Sequence, residues 1–136
     1  MPLYARYGVD LVLAGHSHSY ERSHLVSSDG RGGYHVTARW EEGEGRGGSS
    51  QRGAMLAKAR CGLESGTVFV VTGSATQTSG GSLNHPLMAV SQDALGSVLL
   101  EIEPNHLTIT HVGVSSQGRS SQVLDKATLI KEEGGC

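Results

Sequence analysis

The feature that most constrains the fold is a short apolar run, Val9–Ala14, interrupted only by Asp10. A compact and nearly continuous run of this kind is typical of a strand buried on both faces, as in a parallel sheet covered by helices. Before it, Leu3–Tyr7 has the pattern of a helix end, and Gly8 stands where a left-handed cap is expected. Asp10 is predicted to cap or turn the chain. Together these features predict an α/β layered domain.

The rest of the chain predicts loops and strands within the same domain. Residues 27–65 are rich in glycine, serine and charge, which predicts a long loop excursion with one strand near Tyr34–Trp40. A β-branched run then predicts a strand at Thr67–Thr72, and alternating apolar patterns predict two strands, Gly96–Glu103 and Leu107–Val114, whose short link indicates a hairpin. A last strand is expected near Val123–Lys131, so these closing strands are mainly antiparallel. We expect one domain over 1–136, divided into 1–26 (buried strand and polar loop), 27–65 (excursion), 66–131 (closing strands) and 132–136 (tail).

Composition excludes some classes of function. The formal net charge is −2 with no basic stripe, so bulk electrostatics does not favour nucleic acid or a membrane surface as a partner. No apolar run approaches the roughly 20 residues that cross a bilayer. No secretory signal is recognisable, which leaves the localisation open, a secreted or periplasmic parent included. Cys61 and Cys136 form no CxxC pair and leave the redox compartment undecided.

Chemistry is expected in the polar segment that follows the apolar run. His16 and His18 are two positions apart, so their rings point the same way if the segment is extended, and imidazole is a good ligand for Zn, Fe or Mn. Gly15 would let the backbone turn sharply before them. In open α/β sheets ligands collect outside the carboxyl ends of strands, which is where this segment lies.

The segment Val-Asp-Leu-Val-Leu-Ala-Gly-His-Ser-His-Ser-Tyr-Glu-Arg, residues 9–22, resembles the last metal-binding signature of the calcineurin-like metallophosphoesterases. The match is to the purple acid phosphatase-like form, Gly-His-x-His-x-Tyr-Glu-Arg. Residues 66–74, 85–88 and 95–100 resemble the closing strands of bacterial members, so the resemblance extends over most of the chain. The implied fold is the C-terminal part of a four-layer β-sandwich with helices outside.

The resemblance also implies a function. His16 would ligate one metal and His18 the other in a two-metal centre of Fe, Zn or Mn, which hydrolyses a phosphate ester. Ser17, Tyr20 or a backbone carbonyl would orient the imidazoles. Arg22, together with the preceding glutamate, would anchor the loop, with a phosphate-facing Arg22 as the alternative.

A further histidine lies in the downstream loop. His85 precedes a proline in a segment rich in glycine and serine. It would either line the pocket or cap a turn. Substrate choice cannot be predicted from the chain.

The chain departs from the family in its other motifs. The family's Asp-x-His, Gly-Asp, Gly-Asn-His and further lone His all precede this signature, whereas only 14 residues precede Gly15 here. Two protein ligands cannot hold a binuclear centre, since a single catalytic zinc usually has three. We therefore expect this chain to be the C-terminal part of a longer enzyme, inactive without the N-terminal part of its domain.

Two other functions remain open. His35-Val-Thr-Ala and His106-Leu-Thr-Ile are His-x-Thr-apolar tetrads of the kind used by metal-independent 2H-type phosphoesterases. A β-rich chain with long loops could also be a non-catalytic binding module. Without such roles, His24, His35, His106 and His111 are predicted to be surface or strand-edge residues, and residues 41–44 a solvated acidic loop.

Overall fold

The computed structural model describes residues 2–42, 53–59, 65–79, 82–114, 118 and 120–133. Both cysteines lie outside these ranges. The described residues form one helix and eleven strands, so this part of the chain is mostly β. The elements are α1 (Pro2–Arg6), β1 (Leu11–Ala14), β2 (Tyr20–Ser23), β3 (Leu25–Ser28), β4 (Tyr34–Ala38), β5 (Glu41–Glu42), β6 (Ala54–Lys58), β7 (Val68–Thr72), β8 (Met88–Gln92), β9 (Gly96–Ile102), β10 (His106–Val114) and β11 (Ser121–Lys131).

The first sheet has the order β1-β7-β2-β8, and β1 and β7 run parallel with Leu11 opposite Val68. The predicted helix end, the left-handed Gly8 (φ 63°) and the β1 strand are confirmed. Burial of this strand on both faces is wrong, because β1 lies at the edge of the described sheet and Leu13 is 47% exposed. An apolar run can be recognised from sequence, but the number of its neighbours cannot.

One further strand of this sheet, β2, falls where a polar loop was predicted. The segment after His18 contains β2, which pairs with both β7 and β8. Its polar residues Tyr20 and Arg22 are buried against the other sheet, where they find hydrogen-bond partners. A polar segment can therefore form a central strand when its polar groups find hydrogen-bond partners inside the protein.

The second sheet has the order β5-β6-β11-β10-β9. The predicted hairpin of β9 and β10 and the antiparallel closing strand β11 are confirmed. Within residues 27–65 the predicted strand near Tyr34–Trp40 is confirmed as β4, which pairs with β3. The strand β6, which was not predicted, pairs in parallel with β11. The inward positions of β6 include Leu56 and Lys58, so a lysine interrupts the apolar alternation that would have predicted the strand.

The two sheets pack face to face around one core. The first sheet contributes Tyr20, Val68 and Val70, and the second contributes Leu56, Ile109 and Leu129. Burial of these side chains is the main stabilising term, at roughly 25 cal/mol per Å² of apolar surface. The β3–β4 hairpin adds Leu25 to the same core and is linked to the first sheet through a bridge between Val26 and Thr67.

Ion pairs also join the sheets at one edge. Asp10 lies 2.8 Å from Lys58 and 2.9 Å from Lys131, and Lys58 is only 1% exposed. Asp10 therefore pairs with the second sheet, and the predicted capping or turning role is replaced by this contact. Burial alone would raise the pKa of Asp10, but the two lysines outweigh it and lower that pKa.

Candidate metal site

The loop of His16 and His18 begins at the carboxyl end of β1 and continues into β2. Because β1 and β7 are parallel, the loop after β7 leaves from the same edge of the sheet. The left-handed residue of the loop is His16 (φ 72°), while a Cβ added at Gly15 would meet open space. The sharp conformation expected at Gly15 is thus adopted by His16, and uncommon backbone of this kind in a non-glycine residue is often found at functional sites.

Backbone contacts with the loop after β7 fix the course of the histidine loop. The amide of Gly73 donates to the carbonyl of Ser19 at 3.2 Å, and the amide of Ser79 donates to the carbonyl of His18 at 3.2 Å. A Cβ on Gly73 would overlap the carbonyl oxygen of Ser17. Gly73 therefore permits the close approach of the two loops.

The two imidazoles differ in their surroundings. The ring of His16 is exposed and has no hydrogen-bond partner within the described ranges. His18 is half-buried, and the side-chain amide of Gln77 donates to its Nδ1 at 2.8 Å and lies 3.2 Å from its Nε2. The orienting partner of His18 is therefore Gln77 rather than Ser17 or Tyr20.

The donor set fits part of a metal centre. Two accessible imidazoles suit Zn, Fe or Mn. A metal-bound imidazole donates from its second nitrogen to an acceptor, whereas here the amide nitrogen of Gln77 donates to His18, so Gln77 would orient a metal-bound His18 only through its amide oxygen. Where the structure describes the chain, no three His, Cys, Asp or Glu side chains lie together as a metal site. These ranges thus offer a pair of ligands but not a complete set.

Directly behind the loop lies a buried polar cluster. The Tyr20 hydroxyl donates to Oδ2 of Asp125 at 2.6 Å, and Arg22 donates to both carboxylate oxygens, from Nε at 2.7 Å and from Nη2 at 2.9 Å. Arg22 is 2% exposed, and its two bonds to Asp125 join β2 to β11 across the core. Burial raises the pKa of Tyr20, with Asp125 adding to the shift. Burial would raise the pKa of Asp125, but Arg22 and Tyr20 outweigh it and lower that pKa.

His111 completes the cluster, and its prediction as a surface or strand-edge residue is wrong. Its ring is 1% exposed and stacks on Tyr20 with centroids 4.0 Å apart. Its Nδ1 lies 2.8 Å from Oε1 of Gln92, and burial lowers the pKa of His111. Sequence reasoning missed Asp125 and Gln92. The available signal for Asp125 was a charged residue inside a predicted strand.

The remaining candidate histidines lie apart from the loop. His85 is exposed and accepts from the amide of Leu87 at 3.3 Å, so it caps a turn. His35 lies in β4 and His106 begins β10, in different sheets. His24 is half-buried and lies between the end of β2 and the start of β3, in agreement with the strand-edge alternative. Glu41 and Glu42 are exposed, as expected, but they form β5 and pair with β6, so the predicted loop is wrong at these two positions. Residues 43 and 44 lie outside the described residues.

Among the described residues, no helix has the length and apolar character needed to span a membrane. Comparison with known proteins adds no relative: no family model, curated protein or solved structure matches this chain.

Proposed function

We propose that this chain supplies His16 and His18 to the two-metal centre of a purple acid phosphatase-like metallophosphoesterase, which hydrolyses phosphate esters. The observation that carries the proposal is the position of both imidazoles, on one loop at the carboxyl end of the parallel pair β1 and β7. That position is where α/β sheets bind ligands. In this proposal the two packed sheets form the C-terminal part of a four-layer sandwich.

The chain's own residues have distinct tasks in the proposed centre. His16 and His18 would hold one metal each, from among Fe, Zn and Mn, and Gln77, which lies beside His18, would orient that ring by accepting from its second nitrogen with the amide oxygen. Gly73 allows the second loop to support the first. Metal ions in such centres polarise the phosphate ester and supply a nucleophile at neutral pH. The remaining ligands come from the N-terminal part of the same domain, so this chain alone is inactive.

The test is hydrolysis of an aryl phosphate by the longest reading frame that contains this sequence. We expect activity that is lost on exhaustive chelation, restored by Zn²⁺ or Mn²⁺, and reduced at least about 100-fold by His16→Ala or His18→Ala, because loss of a metal ligand removes the charge that stabilises the transition state. The matched controls His35→Ala and His106→Ala remove histidines outside the loop and should retain activity.

The same assay distinguishes the metal-independent alternative. Activity that survives chelation and disappears in His106→Ala would contradict the proposal and favour a 2H-type phosphoesterase. An extended reading frame without Asp-x-His, Gly-Asp and Gly-Asn-His segments, and without hydrolysis, would favour the non-catalytic binding module.

A further inference from the structure

A cleft of about 500 Å³ opens between the two sheets, beside the buried cluster. The strands β8 and β11 border this cleft. This volume is within the roughly 300–1,000 Å³ of small-molecule sites. The lining residues come from both sheets and from the segment between β4 and β5. They include Arg22, His24, Trp40, Val90 and Lys126.

Arg22 lines this cleft and has one nitrogen that is not used in its bonds to Asp125. Its Nε and Nη2 donate to Asp125, and its guanidinium lies 4.4 Å from the ring centroid of Trp40. Its third nitrogen, Nη1, is buried and has no hydrogen-bond partner among the described residues. An unpaired buried donor costs about 1–3 kcal/mol, and more when the group is charged. Folded proteins therefore contain few such groups, and a bound ligand is one explanation for them.

His24 presents a second unused donor. Nη1 of Arg39 lies 3.1 Å from Nε2 of His24, and a guanidinium can only donate, so Nε2 is the acceptor of this bond. Burial, then the charges of Arg39 and Arg22, lower the pKa of His24, which favours the neutral ring. A neutral ring with Nε2 accepting carries its hydrogen on Nδ1, which is buried and has no partner in the part of the chain that the structure describes.

The charges around the cleft are compatible with a bound anion. The carboxylate of Asp125 is already bonded to Arg22 and Tyr20, so it does not offer an acceptor to a ligand. Lys126 is exposed at the cleft, and the other carboxylate there, Glu42, is also exposed to water, which screens it.

We propose that this cleft binds a small molecule through an oxyanion, a carboxylate or a phosphate, which accepts from Nη1 of Arg22 and Nδ1 of His24 and is attracted by Lys126. The apolar wall formed by Val90 and its neighbour Ala89 would contact the body of the ligand. The site is separate from the histidine loop, and the proposal does not depend on phosphoesterase activity.

Metal-free protein is titrated with inorganic phosphate and, separately, with acetate, while the side-chain resonances of Arg22 and His24 are followed by NMR. We expect saturable shifts of both with at least one anion, and about tenfold weaker binding in Lys126→Met and in His24→Phe, since each removes a charged or hydrogen-bonding contact. Arg31→Met, which removes an exposed cation in the β3–β4 turn, is the matched control and should bind as the parent does.

Saturation by phosphate alone or by acetate alone supports the site and identifies the class of oxyanion. Linear shifts with both anions, shifts centred on His16 and His18, or equal effects of Lys126→Met and Arg31→Met would overturn the proposal. Lys126 is exposed, so its variant decides the outcome even if His24→Phe folds poorly.

Discussion

Two halves of one short segment behave in opposite ways. His16 and His18 lie on a loop, one exposed and one half-buried, whereas Tyr20 and Arg22, only a few residues later, are buried and bonded to Asp125 on the other sheet. The first half presents imidazole nitrogens at the surface. The second half anchors β2, the strand that follows the histidine loop. The comparison shows that one short motif can combine exposed imidazoles with the buried residues that anchor the adjoining strand.

The largest expected difference between the halves is in stability. Asp125→Ala should lower the free energy of unfolding by about 3–5 kcal/mol, because it leaves the buried guanidinium of Arg22 without its counter-charge. His16→Ala should change it by less than about 0.5 kcal/mol, because the ring is exposed. Urea unfolding of the two variants measures both values.

A paired replacement sharpens this result. In Arg22→Met with Asp125→Leu both charges are removed, so much of the lost stability should return. Equal stability of Asp125→Ala and His16→Ala would contradict the assignment of the buried half as an anchor.

A smaller effect is expected where the two loops meet. Gly73→Ala should destabilise the protein by about 1–3 kcal/mol and shift the NMR signals of Ser17 and His18, because the added methyl group overlaps the Ser17 carbonyl. Gly15→Ala is the matched control, since its Cβ would meet open space and its φ is not left-handed. If both variants were equally stable, the close approach of the loops would be refuted.

The smallest effect concerns pH. Burial lowers the pKa of His111, so protonation favours the unfolded chain, where the pKa is about 6.5. The stability contributed by the neutral His111 ring is complete above the pKa of the unfolded chain. It is lost as the pH falls towards the lower pKa that His111 has in the folded protein. His111→Phe keeps a ring against Tyr20 and should flatten the fall in stability between pH 7 and 5. His24, whose pKa is also lowered, leaves a residual slope. Identical slopes in the parent and the variant would contradict this role.

Strands rich in β-branched and other apolar residues were predictable from the sequence, even where a charge interrupts them. β7, the β9–β10 hairpin and β11 follow this rule. β2 and β6 escaped prediction because Arg22 and Lys58 occupy inward positions, where a charge is acceptable only with a partner distant in the chain. Such partners are properties of the folded structure and are invisible to a local pattern.

The candidate site was predictable to a similar extent. His16 and His18 were recognisable from their spacing and from the residues around them. Gln77 and Gly73, which contact the histidine loop, lie in a loop rich in glycine, serine and threonine that has no periodic signal. His111 was misplaced because a lone histidine in an alternating strand does not show which face is buried until its stacking partner is known.

The most direct test of the proposed ligand pair is titration with Mn²⁺ alone, followed by NMR of the imidazole signals, since paramagnetic broadening detects weak binding. We predict that His16 and His18 broaden first, that buried His111 broadens later, and that the effect on the loop disappears in the double variant His16→Ala with His18→Ala. Broadening centred on His35, His85 or His106, or unchanged in the double variant, would contradict the assignment of His16 and His18 as metal ligands.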